Sequence, residues 1–287
     1  MINLMRFKYL FFGISLAIIL PGIFSLFLYG LKPSIDFTGG TLLEIQNTQI
    51  QTQNLTEFGL VQKTSNNTYL IRTKPMDTAQ KDSLISDLNN KYGKTELLKF
   101  ETVGPVIGAE LAQKALQAIV IATVAIVLYI AYAFREIPKP YSSFKFGLSA
   151  VIALLHDVLV LVGIFSILGH FFNVEIDALF VTAVLTVIGF SVHDTIVVFD
   201  RIRENLRKEG AKVSFEQVVN DSLLQTLVRS LNTSLTALFV MLAIILFGGQ
   251  SIRTFALALF VGILSGTYSS IFNAAPLLVI WENRSKK

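Results

Sequence analysis

Apolar and polar stretches alternate along this chain on the scale of a membrane rather than of a globular core. Apolar runs near the ~20 residues that cross a bilayer occur at Leu10–Tyr29, Ala115–Phe134, Phe146–Leu168, Ala178–Phe199, Leu231–Phe247 and Thr254–Trp281. They predict six transmembrane helices. The first run is too long for the apolar part of a signal peptide, and no small-x-small site precedes the polar sequence at Lys32. An uncleaved anchor is therefore expected.

The long segment between the first two runs has a different rhythm. TLLEIQ (Thr41–Gln46) alternates as a strand does, and a short helix is expected over 52–58. VQKTS and TYLIRT flank Asn66 and Asn67, a hairpin turn signal. Asp77 is placed to cap the helical run TAQKDSLISDLNNKY, which Gly93 ends, and TELLKFETV reads as a last strand. The order βαββαβ predicts a small α+β, ferredoxin-like domain. The expected organisation is an N-terminus with the first helix (residues 1–30), an extracytoplasmic domain (31–113), and helices two to six with their loops and the C-terminus (114–287).

Charge then sets the orientation. With the N-terminus in the cytoplasm, fourteen of the 24 basic residues fall in cytoplasmic segments, including Arg6, Arg135, Arg201, Arg203 and Arg207. The two short outer loops together hold only Arg253, and the nine bases between helices one and two are matched by nine acids. Both termini are expected inside, and the balanced outer domain is a poor nucleic-acid binder. Only 15% of the residues are charged and 53% are hydrophobic, against about 25% charged in soluble chains.

Within the greasy runs sit groups that water normally keeps. VLTVIGFSVHDTIVVFDRIREN (Val184–Asn205) carries His193 and Asp194, and the third run carries His156 and Asp157. A carboxylate at mid-membrane costs about 2.5–3.5 kcal/mol on insertion scales, so each needs a partner or a purpose. Asp194 lies two turns before Arg201, about 10 Å deep at 1.5 Å per residue. Arg229 lies at matching depth on the next, antiparallel helix, so the two are expected to neutralise each other. Thr226, Ser230, Thr233 and Ala237 form a stripe at helical spacing that could line a wet seam beside them. Titratable groups plus hydroxyls suit a proton relay; a structural ion pair is the alternative. Gly262, Gly266 and Ser270, four apart, permit close helix packing, and Asn273 with Pro276 predicts a kink.

Several chemistries find no support. There is no cysteine, the three histidines share no metal-ligand spacing, and no Ser-His-Asp order or phosphate loop is present. An enzyme and a bound metal or organic cofactor are not expected.

IDFTGGT (Ile35–Thr41), VGPVIGAEL (Val103–Leu111), SVHDTIVVFDRIREN (Ser191–Asn205) and SGTYSSIF (Ser265–Phe272) occur in order at matching places along the six helices. Together they resemble the SecD/SecF family of bacterial protein-export membrane proteins, and the aspartate of DFTGGT favours the SecF side. The resemblance implies half of an RND-type unit that, with SecD, uses the proton-motive force to promote preprotein translocation in the cytoplasmic (inner) membrane. It implies protons as the coupling ion, with Asp194 and Arg229 on their path and Asp157 and His193 as further candidates. Where family members often carry Asn, this chain carries His193, as either a relay member or a hydrogen-bonding substitute. Implied partners are SecD, as a separate chain, the SecYEG channel, YajC, the YidC insertase and the unfolded preprotein. The outer domain is expected to move as protons pass, with Asp36, Gly39, Gly40, Gly104 and Pro105 as hinges or rigid junctions at its base. The alternatives are an RND-like exporter of small molecules or lipids, for which eighty outer residues are few, and a non-conducting scaffold of the translocase.

Overall fold

The computed structural model describes residues 3–49, 55, 57–65, 67–209 and 213–284. Lys212, Lys286 and Lys287 of the charge count, Asn66 of the hairpin turn and most of the short helix expected over 52–58 lie outside the described residues. The chain forms two compact units, Pro33–Gln117 and Met1–Lys32 with Ala118–Lys287.

The smaller unit opens with a one-turn helix, α2 (Ile35–Thr38), after α1 of the other unit (Lys8–Tyr29). Ser34 caps it, accepting from the Asp36 backbone N–H at 3.2 Å. Then follow β1 (Gly40–Gln46), β2 (Leu60–Ser65), β3 (Thr68–Thr73), α3 (Thr78–Tyr92) and β4 (Glu96–Val103). The sheet order is β2-β3-β1-β4, with every neighbouring pair antiparallel. This is the arrangement a split βαβ unit of the ferredoxin-like type produces. Alternation in β1 puts Leu43 and Ile45 on the inner face with Tyr69, Ile71, Leu84, Leu88 and Leu55. A capping box starts α3: Asp77 accepts from the Gln80 N–H at 2.8 Å, and Gln80 accepts from the Asp77 N–H at 3.0 Å. Gly93, at φ 75°, ends the helix.

The larger unit is a helical bundle. Its members are α1, the second part of α4 (Pro105–Ala133), α5 (Ser143–Phe172), α6 (Ala178–Glu209), α7 (Phe215–Phe247), α8 (Gln250–Ser269) and α9 (Ala275–Arg284). Six spans are long and apolar enough to cross a membrane; the last runs Ile252–Asn283 through α8 and α9. Several helices outrun their apolar stretch. The charged end of α6 stays helical because its ions pair along one face: Arg203 with Asp200, Arg201 with Glu204 (2.5 Å) and Lys208 with Glu204 (2.6 Å). Arg203 donates to the carbonyl of Ala133 (3.2 Å), an otherwise unmet C-terminal acceptor of α4, and Arg207 to that of Glu136 (3.1 Å) in the turn that follows.

Between α8 and α9 the backbone takes one π-helical turn, Ser270–Ala274. Pro276 has no N–H to offer the carbonyl four residues back, and its ring crowds that carbonyl, so the helix widens before it. The kink expected from Asn273 and Pro276 is therefore a π-turn.

Small residues set the closest approaches in the bundle. A Cβ added at Gly22 would lie 2.9 Å from the Gly163 Cα, so α1 and α5 touch backbone to backbone. Serines continue that seam, with Ser25 Oγ 2.9 Å from Ser166 Oγ and Ser166 donating to the Gly30 carbonyl at 2.7 Å. At its end, Lys32 bonds the α5–α6 connection through Asn173 (Nζ–Oδ1 2.8 Å), Glu175 (3.7 Å) and the Ile176 N–H, which donates to the Lys32 carbonyl at 2.9 Å.

Candidate functional site

Asp157 sits on the inward face of α5 and is 0% exposed. Its oxygens are fully occupied. Ser191 of α6 donates to Oδ2 at 2.5 Å, Ser269 of α8 to Oδ2 at 2.6 Å, Ser265 of α8 to Oδ1 at 2.7 Å, and His156 Nδ1 lies 3.0 Å from Oδ1. Three serine hydroxyls and, in its Nδ1–H tautomer, the His156 imidazole thus converge on one carboxylate from three helices. The expected packing glycines place the cage. Gly262 and Gly266 face α6, where a Cβ at 262 would overlap the Val187 side chain and one at 266 would lie 3.2 Å from the Ser191 Cβ and 3.7 Å from Asp157 Oδ2. Without a side chain at 266, the serines of α8 reach the aspartate.

His156 supports the cage from the outside. Its side chain is 10% exposed, and Tyr268 stacks near it with ring centroids 6.3 Å apart. With Nδ1 donating to Asp157, Nε2 is a buried acceptor without a hydrogen bond.

Asp194, on α6 one turn beyond Ser191, is 6% exposed and faces the same interior. Its surroundings are the opposite of those of Asp157. Oδ2 and Ser230 Oγ on α7 are both buried and make no well-formed hydrogen bond, although Ser230 is the hydroxyl within the carboxylate's reach; Asp157 and His193 are its electrostatic neighbours. Buried polar atoms left open in a polar pocket are places where water or a proton can be received. Below them Thr195 Oγ1 and Ser270 Oγ lie 3.0 Å apart, and Thr267 donates to Ser234 at 2.6 Å, so hydroxyls line the seam among α6, α7 and the last span.

The expected ion pair between Asp194 and Arg229 is not formed. No salt bridge joins them among the described residues, and Arg229 is exposed. Matching depth places two residues at one level but does not turn them to face each other. At 100° per residue, the neighbour that points inward is Ser230, and Arg229 lies on the adjacent face. The hydroxyl stripe needs the same adjustment. Thr226, Ser230 and Ser234 are buried at strict four-residue spacing, Thr233 is exposed, and Leu238 rather than Ala237 closes the buried row. His193 is also exposed, beside Asp194 in sequence but turned away from the interior.

Sequence reading missed Ser191, Ser265, Ser269 and Ser234 as site residues. Ser265 and Ser269 share the four-residue repeat of Gly262 and Gly266, and Ser191 precedes Asp194 by one turn. That repeat was the available signal.

In the smaller unit the two glycine motifs meet. Gly39, at φ 72° and ψ 168°, is so close to α4 that a Cβ there would lie 2.8 Å from the Pro105 Cα. Gly108 returns the contact, its Cβ position lying 2.8 Å from the Gly39 nitrogen. Gly40, at φ 126°, leaves 3.0 Å between its Cβ position and the Thr73 carbonyl. Asp36 is half-buried in the short helix just before them, and Gly104 precedes the first residue of α4. Of the five residues expected at the base of the outer domain, Gly39, Gly104 and Pro105 meet backbone to backbone, Gly40 approaches the Thr73 carbonyl instead, and Asp36 only adjoins them in sequence.

Among the described residues no group of three or more His, Asp or Glu side chains could hold a metal ion. Residues 84–284 match the family "Protein export membrane protein SecD/SecF, C-terminal", and residues 24–46 match the "SecD/SecF GG Motif". The protein translocase subunit SecF of Thermobaculum terrenum is 50% identical, over 99% of this chain and 95% of its own length. That of Anaerolinea thermophila is 45% identical with the same coverage. The crystal structure of SecDF from Thermus thermophilus, described as a translocon-associated membrane protein, superposes with a TM-score of 0.85 at 33% identity. That alignment covers 99% of this chain and 39% of the solved one.

Proposed function

The chain belongs to the SecD/SecF family of protein-export membrane proteins, and we propose that it is the subunit in which Asp194 takes up and releases the protons that drive export. One observation carries the proposal. Asp194 is a nearly buried carboxylate whose Oδ2 lacks a well-formed hydrogen bond, and its neighbour across a seam of hydroxyls is Ser230. A carboxylate kept only for packing would have its hydrogen bonds made. An open site inside a helical bundle costs stability unless something enters it.

The working unit is this chain with SecD, in the bacterial cytoplasmic membrane, with both termini in the cytoplasm and the Pro33–Gln117 domain outside. SecD supplies the other half of the RND-type unit. The pair associates with the SecYEG channel, YajC and YidC, and it acts on unfolded preprotein after the channel has been entered. Protons moving inward through the seam beside Asp194 alternate its charge, and the outer domain responds. Arg229 and His193 lie next to the seam rather than in it. From there they tune the field and the access of water, without neutralising Asp194 by direct contact.

Asp194→Asn in membranes containing SecD and the translocon tests this. Export should lose its dependence on the proton-motive force while membrane insertion and SecD association stay normal. Force-dependent export at the wild-type rate would leave the subunit as a scaffold.

A further inference from the structure

Resting on that function, we infer that Asp157 is not a second carrier on the path but a proton-operated latch joining α5, α6 and the last span, with Ser269 as its release point. The inference comes from counting hydrogen bonds. An ionised carboxylate is acceptor-only and offers about four lone-pair sites. Ser191, Ser265, Ser269 and His156 place four donors on it, at 2.5, 2.7, 2.6 and 3.0 Å, so the centre is full. A proton arriving on either oxygen removes one acceptor position and adds a donor. With His156 kept as its Nδ1–H tautomer, four donors then cannot all be received, and one must turn away.

Ser269 is the one with somewhere to go. The Gly266 carbonyl already lies 3.2 Å from its hydroxyl, so the proton it gave to Asp157 can be given to its own helix instead. Ser191 and Ser265 have no second acceptor among the described contacts. The release falls at a sensitive place, because the π-turn Ser270–Ala274 begins at the next residue. A π-turn holds one residue more per turn than its neighbours and can pass into α-helix by shifting register. Loss of the Asp157–Ser269 bond frees the end of α8 to make that shift, and α9 moves with it. Asp194, one turn from Ser191, then senses the state of the latch through α6.

The titratable groups around Asp157 are His156 on its own helix, Asp194 on α6 and Tyr268 on the last span. Tyr268 is held by its hydroxyl to the Phe11 carbonyl of α1 at 2.7 Å. His156 is one of the four donors, so its own protonation leaves the count on Asp157 unchanged.

This chain has no native cysteine, so an introduced pair is its only site for a thiol label, and SecD free of cysteine completes the complex. Spin labels at Phe144→Cys on α5 and Asn283→Cys on α9, both exposed, measure the separation across the latch in the assembled complex with SecD. The separation should shift as pH falls in the wild type. Asp157→Asn should hold it at the acidic value at every pH, since an amide also carries donors and fewer acceptors. Ser269→Ala should abolish the shift and Ser269→Thr, which keeps the hydroxyl, should restore it. If Asp157→Asn follows the wild-type curve, or if the wild-type separation does not change with pH, the latch is wrong. Loss of force-dependent export in Asp194→Asn alongside either result would show that the wider function stands without it.

Discussion

Gly39 and Gly104 stand at the two sides of one junction, yet the same substitution should affect them very differently. Gly39 has φ 72° and ψ 168°, a region essentially reserved for glycine. Holding an alanine there costs about 1–3 kcal/mol. Its Cβ would also lie 2.8 Å from the Pro105 Cα and 3.0 Å from the Pro105 nitrogen. Those are backbone atoms that cannot rotate aside, and overpacking of this kind costs about 1–3 kcal/mol more. The sum, about 2–6 kcal/mol, is a large share of the roughly 5–15 kcal/mol that holds a domain together. At Gly104 a Cβ meets only Ile107 Cδ1 at 3.9 Å, an ordinary contact, and the backbone is not left-handed. Gly104→Ala should stay within about 0.5 kcal/mol of wild type. Hydrogen exchange on the purified full chain reads the difference locally. Gly39→Ala should speed exchange at least about 30-fold through β1 and the first turns of α4, and Gly104→Ala should leave both as they were. Equal acceleration in the two variants, or the reverse order, would refute the junction as described.

Two further outcomes follow from the bundle and its ends. Gly262→Ala should destabilise the detergent-solubilised protein by about 1–3 kcal/mol, because the new methyl overlaps Val187. Val187→Ala in the same chain should recover only part of that loss in a thermal melt, since its Cβ still lies 2.9 Å from the new methyl, and no recovery at all would mean that α6 and α8 do not meet there. Burial, and secondarily Glu282, raise the Tyr141 phenol above its ordinary value. Its proton is held in both folded and unfolded chains at neutral pH. Stability from this group is therefore flat there and falls as pH rises through the ordinary tyrosine value of about 10, where the unfolded chain ionises first. An absorbance titration at alkaline pH, compared with Tyr141→Phe, should show the tyrosinate appearing late.

Much of this architecture can be read from residue order. The six spans follow from apolar length, and Asp77, Gln80 and Gly93 mark the bounds of α3 through capping chemistry that is local in sequence. Alternation in TLLEIQ identifies both the strand and its inner face. What fails does so where a second helix must be oriented. Depth along a helix can be counted in residues, and Asp194 and Arg229 do sit at similar levels. Rotation about the axis depends on which face the neighbour buries, and that places Ser230 inward. The helices α6 and α7 extend past their apolar runs, which stop at the first charges, because ion pairs and caps carry them farther. The cage around Asp157 was beyond sequence because its donors come from residues 156, 191, 265 and 269. Only the packing of α8 against α5 and α6 makes them neighbours.

The seam between α1 and α5 has a mechanical consequence. α1 leads out to Pro33, where the Pro33–Gln117 domain begins, and it does not end as a loose tether. Gly22 against Gly163, Ser25 against Ser166, and Lys32 against Asn173 and Ile176 fasten it in series along the length of α5. A pull on Pro33 parallel to the helices loads these contacts together in shear, the direction in which side-by-side bonds share force rather than open one at a time. The tension is delivered to α5, the helix that carries Asp157. Tension on the Pro33–Gln117 unit and the hydrogen bonds of the Asp157 carboxylate therefore bear on the same rod.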